Sequence, residues 1–529
     1  MKTLNKIIRF LVYVLPAILF FSYYPIIALG NNETMNFELS LPILWLVVFD
    51  GCFVLWVVMK KCFGEVLRDV KKGWQWLVFP LVASLSVLWS LNVMRGVLTC
   101  GILWLVVLAI YGMMKMKKEI YAERVFYYVF LKMFFVSALV ICGWCWLQCA
   151  MDVLGVPREC TLLCPGCVSQ MFGFPHPNGF AIEPQFMGNL LLAPAIIAAW
   201  LIITGKHNSK NSERKSSRGC IFHNGSGGLV RKFQFPHSSV TVVKNTSGSD
   251  FLCSKFLLLC FFVIAVTLFL TFSRGAIYAF VVGMIFMSAF MLTRKRRQRK
   301  DVAKRLGITW GIVILSFVFT LNLQGVFAEL GPTNETYGGA VAKVINHLSL
   351  GVIDVRGGSS DVENSVENFE EGKTEAVFDG YVEESTNVRL GLTKNAFKIW
   401  LKDAKTVLVG VGLGGAGQAM YDAGLTGSPK EIIQNEYASL LAETGILGVL
   451  CLAWLIVLII RKIVKNEMGG MLLSLLVAYG VSLLFFSGLA NALQIYLMPT
   501  ALFMMSDAGV FLNTKKKIDA VKKIKRVDI

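Results

Sequence analysis

The sequence carries little charge. Only 16% of its 529 residues are Asp, Glu, Lys or Arg, whereas 55% are hydrophobic and the mean hydropathy is +0.61. Ordinary globular domains have fewer apolar residues, so this composition excludes a string of soluble domains. Apolar runs of roughly 18 residues or more recur along the chain, and each is long enough to cross a bilayer. We therefore predict an all-α polytopic membrane protein.

Two further features are missing. The first apolar run, residues 7–29, has no small-residue cleavage site and exceeds the apolar core of a signal peptide, which predicts a retained helix. Acidic residues are also scarce, with 34 against 52 Lys and Arg. The basic residues concentrate in alternate loops and at both termini, as the positive-inside rule requires. This distribution excludes a nucleic-acid partner and places both termini in the cytoplasm.

Ligands for a metal are few. The chain has five His, and no His-x-His or second CxxC motif accompanies its Cys residues. Most of the thirteen Cys stand alone in apolar runs, where a thiol packs as a small hydrophobe. The exceptions are Cys160, Cys164 and Cys167 in one outside loop, with Cys149 nearby. For these cysteines a disulfide is favoured over a metal site, and free thiols are the other alternative.

Length and flanking charge predict about twelve spans. Residues 1–325 form an N-terminal bundle of nine spans with a polar cytoplasmic insert at 206–255. Residues 326–440 form a large extracytoplasmic loop between spans nine and ten, and residues 441–529 hold the last three spans and a basic cytoplasmic tail. The loop has about 16 acidic against about nine basic residues. We interpret it as the roof of a reaction chamber, with an amphipathic helix over residues 387–402 and another helix from residue 434 into span ten.

One arginine stands between two spans. Arg274 follows Ser273 in the run LFLTFSRGAIYAFVV, and an arginine at this depth is costly unless it faces water, a partner or a bound anion. It either snorkels to the headgroups or grips phosphate with its planar guanidinium fork. Arg389, on the predicted external helix, is either a solvated side chain or a second guanidinium facing the same diphosphate.

Other candidate residues are less specific. The stretch GVGLGGAGQ contains G-x-G-x-x-G after a strand-like TVLV, but no βαβ unit surrounds it, so we interpret it as a flexible, close-packed loop lining the chamber. In PHPNGFAIEPQF, His176, Asn178 and Glu183 either contribute to a site at the outer mouth or form a helix cap and an ion pair. Asp50, Lys132 and Asp507 are expected to make polar contacts between helices.

Three pieces of the sequence together resemble the O-antigen ligase superfamily of membrane glycosyltransferases. They are the SRG at residues 273–275, the long external loop with its arginine-bearing helix, and the closing GVGLGG…QNEYASLLAETGILGVL. The resemblance covers roughly residues 178–450. It implies a GT-C-like fold in the bacterial plasma membrane and an extracytoplasmic active site.

The resemblance also implies a reaction. Members transfer a glycan from an undecaprenyl-diphosphate carrier to an acceptor, without a metal, other cofactor or nucleotide sugar. The acceptor is lipid A–core for ligases and another carrier-linked glycan for polymerases. Arg274 and Arg389 are implied to hold the diphosphate. The other candidate substrate-binding residues are Ser273, Asn435, His176, Asn178 and Glu183. Membrane lipids are the expected surroundings of the protein.

The closing motif departs from the family. Its ligases have a His before the Asn, proposed to activate the acceptor hydroxyl, and here that position is Gln434. An amide cannot act as a general base at neutral pH, although it can orient a hydroxyl. The base is then Glu436, His176 or Glu183, or the arginines supply most of the rate. A third possibility is a different acceptor, which favours a polymerase or another glycan ligase over an O-antigen ligase proper. A transporter or flippase for lipid-linked sugars is the rival from another class, but we find no clear internal repeat.

Overall fold

The described part of the chain folds mostly into helices, as predicted. The structure is a computed structural model, and it describes the chain except for residues 22–24, 32–35, 121–123, 156–167, 170–174, 182, 205–253, 295–298, 332–335, 350–383, 467, 488–491 and 508–529. The predicted cytoplasmic insert, the basic tail, much of the external loop, and Cys160, Cys164 and Cys167 therefore lie outside the described residues. Cys149 is a buried free thiol.

Twelve helices follow the order of the twelve predicted spans. They are α1 (Lys2–Leu19), α2 (Leu41–Lys60), α4 (Val78–Ser86), α5 (Val93–Lys115), α7 (Arg124–Val153), α8 (Pro184–Thr204), α9 (Ser254–Leu270), α10 (Arg274–Arg294), α11 (Arg299–Leu330), α16 (Glu436–Ile463), α17 (Gly469–Ser482) and α18 (Leu493–Asp507). Seven are long and apolar enough to cross a membrane by length and composition. The number of crossings and their sidedness stay predictions.

The remaining elements are short. Between the long helices lie α3 (Phe63–Lys72), α6 (Lys117–Ile120), α12 (Tyr337–Leu348), α13 (Glu384–Trp400), α14 (Ala404–Val409) and α15 (Ala416–Asp422). Two antiparallel strand pairs complete the described chain: β1 (Pro25–Asn31) with β2 (Asn36–Ser40), and β3 (Val168–Ser169) with β4 (His176–Pro177).

Three predicted elements differ from the structure. The first helix ends at Leu19, earlier than predicted, and a strand begins at Pro25, where a residue without an N–H is tolerated as the first of a strand. The external loop contains α12, whose Thr336 side chain accepts a hydrogen bond from the Gly339 N–H and caps the helix. The strand-like TVLV lies in α14, where an Asp403–Thr406 capping box starts a helix.

Helix α8 lies at the centre of the bundle. It packs against α9, α10, α11 and α17, and 78% of its most apolar stretch is buried. Its small residues permit close approach: a Cβ added to Gly188 would lie 2.7 Å from the Cβ of Ala276 on α10. Close packing of small residues is how helices associate in lipid, where no hydrophobic effect drives them together.

A separate layer covers the start of α16. The apolar side of α13 packs on it through the buried residues Leu392, Ala396, Ala438 and Ala442. This confirms the two helices predicted at residues 387–402 and from residue 434. Within α16 the backbone breaks at Gly445, whose φ is +64° and ψ is −169°. The residues before this break are therefore set at an angle to the long apolar part that follows.

Candidate functional site

The site begins at the turn between α9 and α10. Phe272 has a φ of +46°, and Ser273 accepts a hydrogen bond from the Ala276 N–H at 3.3 Å. Arg274 is the first residue of α10 and is only 8% exposed. The N-terminal end of a helix is electropositive, so this turn combines a buried guanidinium with peptide N–H groups of the same sign. Such an arrangement favours an anion.

A short segment after α17, residues 483–487, lies directly against this turn. The Gln185 amide at the start of α8 donates a hydrogen bond to the Phe485 carbonyl. An added Cβ at Gly275 would lie 2.7 Å from the Phe485 Cβ, so only glycine allows this approach. The rings of Tyr278 and Phe485 are 5.9 Å apart. Three helices thus converge on Phe485 beside Arg274.

The same segment holds Glu436. The Glu436 N–H donates to the Leu483 carbonyl at 2.9 Å, and the Ser487 hydroxyl donates to the Glu436 carboxylate at 3.0 Å. Glu436 is buried at the first position of α16, where a negative charge is favoured by the helix dipole. Residues 483–487 therefore connect the Arg274 turn to the Glu436 carboxylate.

The two residues before Glu436 have distinct roles. The Asn435 side chain accepts a hydrogen bond from the Ala438 N–H at 3.1 Å and caps α16. The Gln434 side-chain oxygen is buried, and no described residue hydrogen-bonds to it. Gln434 thus holds a buried amide acceptor two residues before Glu436, whereas the Asn435 side chain caps the helix.

Arg389 lies on a helix that packs against α16, the helix that begins at Glu436. It is half-buried on α13, which packs directly on the first part of α16. Gly275, the residue after Arg274, packs on Phe485, and residues 483–487 in turn contact the same part of α16. Whether the two guanidinium groups share one cavity stays a prediction.

A histidine pair flanks the turn. The His347 Nε2 lies 3.0 Å from the Phe272 carbonyl oxygen, and the Tyr278 hydroxyl donates to the Leu348 carbonyl at 2.6 Å, so α12 is fastened to the turn at two points. The His176 ring lies 5.1 Å from the ring of Phe272. Burial, with a smaller contribution from nearby His347, lowers the pKa of His176 to about 3. His176 is therefore neutral at neutral pH and too weak a base to activate a hydroxyl there.

Asn178 does not form the predicted cap of α8, and among the described residues no salt bridge joins Glu183 to an arginine. Helix α8 begins at Pro184, well after Asn178. The Asn178 side chain instead accepts a hydrogen bond from Gln148 at 3.2 Å. Glu183 precedes α8 directly and is exposed. The structure thus places Asn178 in the packing between α7 and α8, and Glu183 at the surface.

The glycine-rich loop, residues 410–417, is close-packed as predicted. The Val411 and Gly412 N–H groups donate to the Ala442 and Glu443 carbonyls at 2.9 Å, and the N–H groups of Gly414 and Ala416 donate to the Glu443 carboxylate. On its other side, the Ser90 hydroxyl donates to the Leu413 carbonyl at 2.8 Å, and the Leu413 N–H donates to Ser86 at 3.1 Å. The loop joins the α4–α5 turn to the start of α16. That it lines the chamber stays a prediction.

The other polar residues that we predicted in spans remain apart from the site. Asp50 is buried in α2, and no described residue hydrogen-bonds to its carboxylate, so the interhelical contact predicted for it is not found. Lys132 is exposed on α7, and the side chain of Asp507 lies outside the described residues. In the part of the chain that the structure describes, no group of three His, Cys, Asp or Glu side chains could hold a metal ion.

Sequence reasoning missed four contributors: Gln185, His347, Phe485 and Ser487. None has a local signature, because each acts through a contact distant in sequence. Only Gln185, in the stretch that holds Glu183, lay beside a residue that we had singled out.

Comparison with known families finds one match. Residues 259–453 match the family model described as O-Antigen ligase, which confirms the resemblance. The matched region contains Arg274, Arg389, the glycine-rich loop and the stretch from Gln434 to Glu436, whereas His176, Gln185 and residues 483–487 lie outside it. A search of curated proteins finds no match.

Proposed function

We propose that this chain, whose residues 259–453 form an O-antigen ligase domain, is a membrane glycosyltransferase. It transfers a glycan from undecaprenyl diphosphate to an acceptor at the outer face of the bacterial plasma membrane. The observation that carries the proposal is Arg274, buried at the electropositive start of α10 and connected to the buried Glu436 through residues 483–487. The guanidinium of Arg274 and the helix N-terminus together favour binding of a diphosphate.

The sidedness follows from the helix ends. Helices α10 and α16 both begin at the site, at Arg274 and Glu436, and both end in basic residues, at Arg294 and at Arg461 and Lys462. Basic helix ends face the cytoplasm. The site then opens to the opposite, extracytoplasmic side, where carrier-linked glycans are used. Both termini are cytoplasmic in the same arrangement.

In the proposed reaction the acceptor hydroxyl attacks the anomeric carbon of the carrier-linked sugar. The new glycosidic C–O bond forms as the bond to the diphosphate oxygen breaks, and the configuration inverts. Undecaprenyl diphosphate leaves with the bonding electron pair. Arg274 and Arg389 stabilise the charge that develops on the diphosphate, and no metal or nucleotide sugar is needed.

The hydroxyl proton goes to Glu436. Of the candidates, Gln434 is an amide, His176 is a very weak base, and Glu183 is exposed beside α8. Glu436 is a buried carboxylate in the closing motif, oriented by the Ser487 hydroxyl. The buried Gln434 oxygen, two residues earlier in the closing motif, is proposed to accept a hydrogen bond from the same acceptor hydroxyl.

Gln434 stands where the ligases of the family have a His. This replacement favours a second candidate function within the superfamily, a polymerase that joins one carrier-linked unit to another. Purified chain incubated with carrier-linked glycan and either lipid A–core or a second carrier-linked unit separates the two. A glycan on lipid A–core identifies a ligase, and a lengthened carrier-linked glycan identifies a polymerase. The Glu436→Gln variant serves as the inactive control. If the chain forms neither product but moves the carrier-linked glycan across vesicle membranes, it is a transporter and the proposal is wrong.

A further inference from the structure

The exposed side of α13 and the segment after it are both basic and apolar. Lys394 and Lys398 are exposed one helical turn apart on α13. Exposed basic and apolar residues follow one another from there through α14. The basic residues of this set are Lys394, Lys398, Lys402 and Lys405, and the apolar residues are Phe397, Leu401 and Leu408, which are 42%, 62% and 51% exposed. We call these seven residues the α13 face.

Positive charge is concentrated on this face. Residues 326–440 contain about nine Lys and Arg against about 16 Asp and Glu, yet five of the nine fall within residues 389–405. The single acidic residue in that stretch, Asp403, caps α14. An ordinary solvated face carries charges of both signs interspersed. A basic face with large exposed apolar side chains is instead typical of a helix that lies on a membrane surface.

The packing of α14 places this face at the edge of the apolar layer. An added Cβ at Gly445 would lie 2.5 Å from the Leu408 backbone, so α14 lies against the break in α16. The continuous apolar run ILGVLCLAWLIVLII begins at the next residue. The α4–α5 turn, which holds the glycine-rich loop at Ser90, exposes Leu88 and Leu91. Exposed apolar side chains are thus found on two segments that pack against the first part of α16, before its continuous apolar run.

We propose that the α13 face lies on the membrane surface at the site end of the helices and binds anionic phospholipid. Phe397, Leu401 and Leu408 enter the boundary between headgroups and acyl chains, and the lysines contact headgroup phosphates. The opposite side of α13 packs on α16. Bilayer contact therefore fixes the depth of α13, and with it the depth of Arg389. The proposal needs only the membrane embedding of the chain and not the transfer reaction.

The test uses the full chain in bilayer nanodiscs of phosphatidylcholine and phosphatidylglycerol, with no glycan substrate. A benzophenone amino acid replaces Leu401 in one variant and Asp422, an exposed residue of α15, in the control. After illumination, mass spectrometry identifies what is attached. We expect phospholipid adducts at position 401, several-fold more abundant than at position 422. Adducts at position 401 only to protein, such as residues 350–383 or a second copy, or no adduct at all, would overturn the proposal.

A second measurement tests the charge. Phosphatidylglycerol should be enriched among the adducts at position 401 relative to its share of the bilayer. Lys394→Gln combined with Lys398→Gln should reduce that enrichment at least twofold, whereas Lys430→Gln, which removes a lysine outside the α13 face, should leave it unchanged. Equal enrichment in all three proteins would show that the lysines do not select anionic headgroups and would refute that part of the proposal.

Discussion

The Arg274 turn, residues 272–274, and the glycine-rich loop, residues 410–417, are both buried and both contain left-handed backbone. In the turn that backbone belongs to Phe272, with a φ of +46°, whereas in the loop it belongs to Gly410, Gly412 and Gly414. A side chain in this conformation costs roughly 1–3 kcal/mol, which glycine avoids. The turn keeps its strain and buries a charge. The loop avoids strain, and its own buried residues carry no charge, although its N–H groups bind the Glu443 carboxylate.

This difference indicates a functional role for the Arg274 turn and a structural role for the glycine-rich loop. Strain and a buried charge are both unfavourable for folding, and a turn that keeps both is the expected signature of a functional site. The loop makes backbone hydrogen bonds on both of its sides, to the α4–α5 turn and to the start of α16. Its expected role is to hold α16, and therefore Glu436, in place. Changes in the turn should alter activity, and changes in the loop should alter stability.

The largest effect is expected from Arg274→Ala. Loss of the guanidinium should lower glycan transfer by at least about 100-fold, because charge on the leaving diphosphate is no longer stabilised. Arg274→Lys should recover little, since an ammonium lacks the planar fork. The measurement is transfer by purified protein in nanodiscs, with thermal stability recorded alongside. Arg294→Ala, at the exposed other end of α10, is the matched control and should stay active. Full activity in Arg274→Ala would remove the proposed mechanism.

Gly412→Ala should damage the fold. Its φ of +94° disfavours any Cβ, and that Cβ would collide with the Ser90 backbone. Strain and overpacking together should cost about 2–5 kcal/mol, measured as a loss of thermal stability and of monodisperse protein. Gly424→Ala separates the two causes, because Gly424 has a φ of +67° with nothing within 4 Å of an added Cβ. It should cost only about 1–2 kcal/mol. Equal losses in the two variants would mean that the close packing of the loop contributes nothing.

The sequence predicts the helices well because the length of an apolar run is a local property. It fails where one residue overrides a local pattern. A strand starts at Pro25 within the apolar run predicted as the first span, and Asp403 starts a helix over the β-branched TVLV. Arg274 could be singled out because a charge between two apolar runs is conspicuous in any sequence.

The connection between Arg274 and Glu436 could not be predicted. It runs through residues 483–487, which read in sequence as the end of an apolar run. That Phe485 accepts a hydrogen bond from Gln185, or that Ser487 reaches Glu436, depends on how α8, α10 and α17 pack. Likewise, the low basicity of His176 follows from its burial beside Phe272, which periodicity does not reveal.

His347 tests whether the strained turn must be held in place. His347→Phe keeps a ring but loses the contact of Nε2 with the Phe272 carbonyl, worth about 1 kcal/mol. If that contact orients Arg274, transfer should fall roughly 5- to 10-fold through kcat, whereas thermal stability should change little. His347→Gln, which retains an N–H donor, should recover most of the rate. A rate loss shared equally by His347→Gln and His347→Phe would count against a positioning role for this hydrogen bond.

The smallest effect is expected from Ser90→Ala on the loop side of the comparison. Without the Ser90 hydroxyl, the buried Leu413 carbonyl loses its donor, and the free energy of unfolding should fall by about 1–2 kcal/mol. Thr204→Ala is the matched control, because its hydroxyl bonds only the Trp200 carbonyl of its own helix and ties no distant segments together. Thermal unfolding should therefore shift more in Ser90→Ala than in Thr204→Ala, with transfer per folded molecule unchanged in both. A loss of transfer in Ser90→Ala at unchanged stability would instead mean that the loop, like the turn, takes part in the reaction.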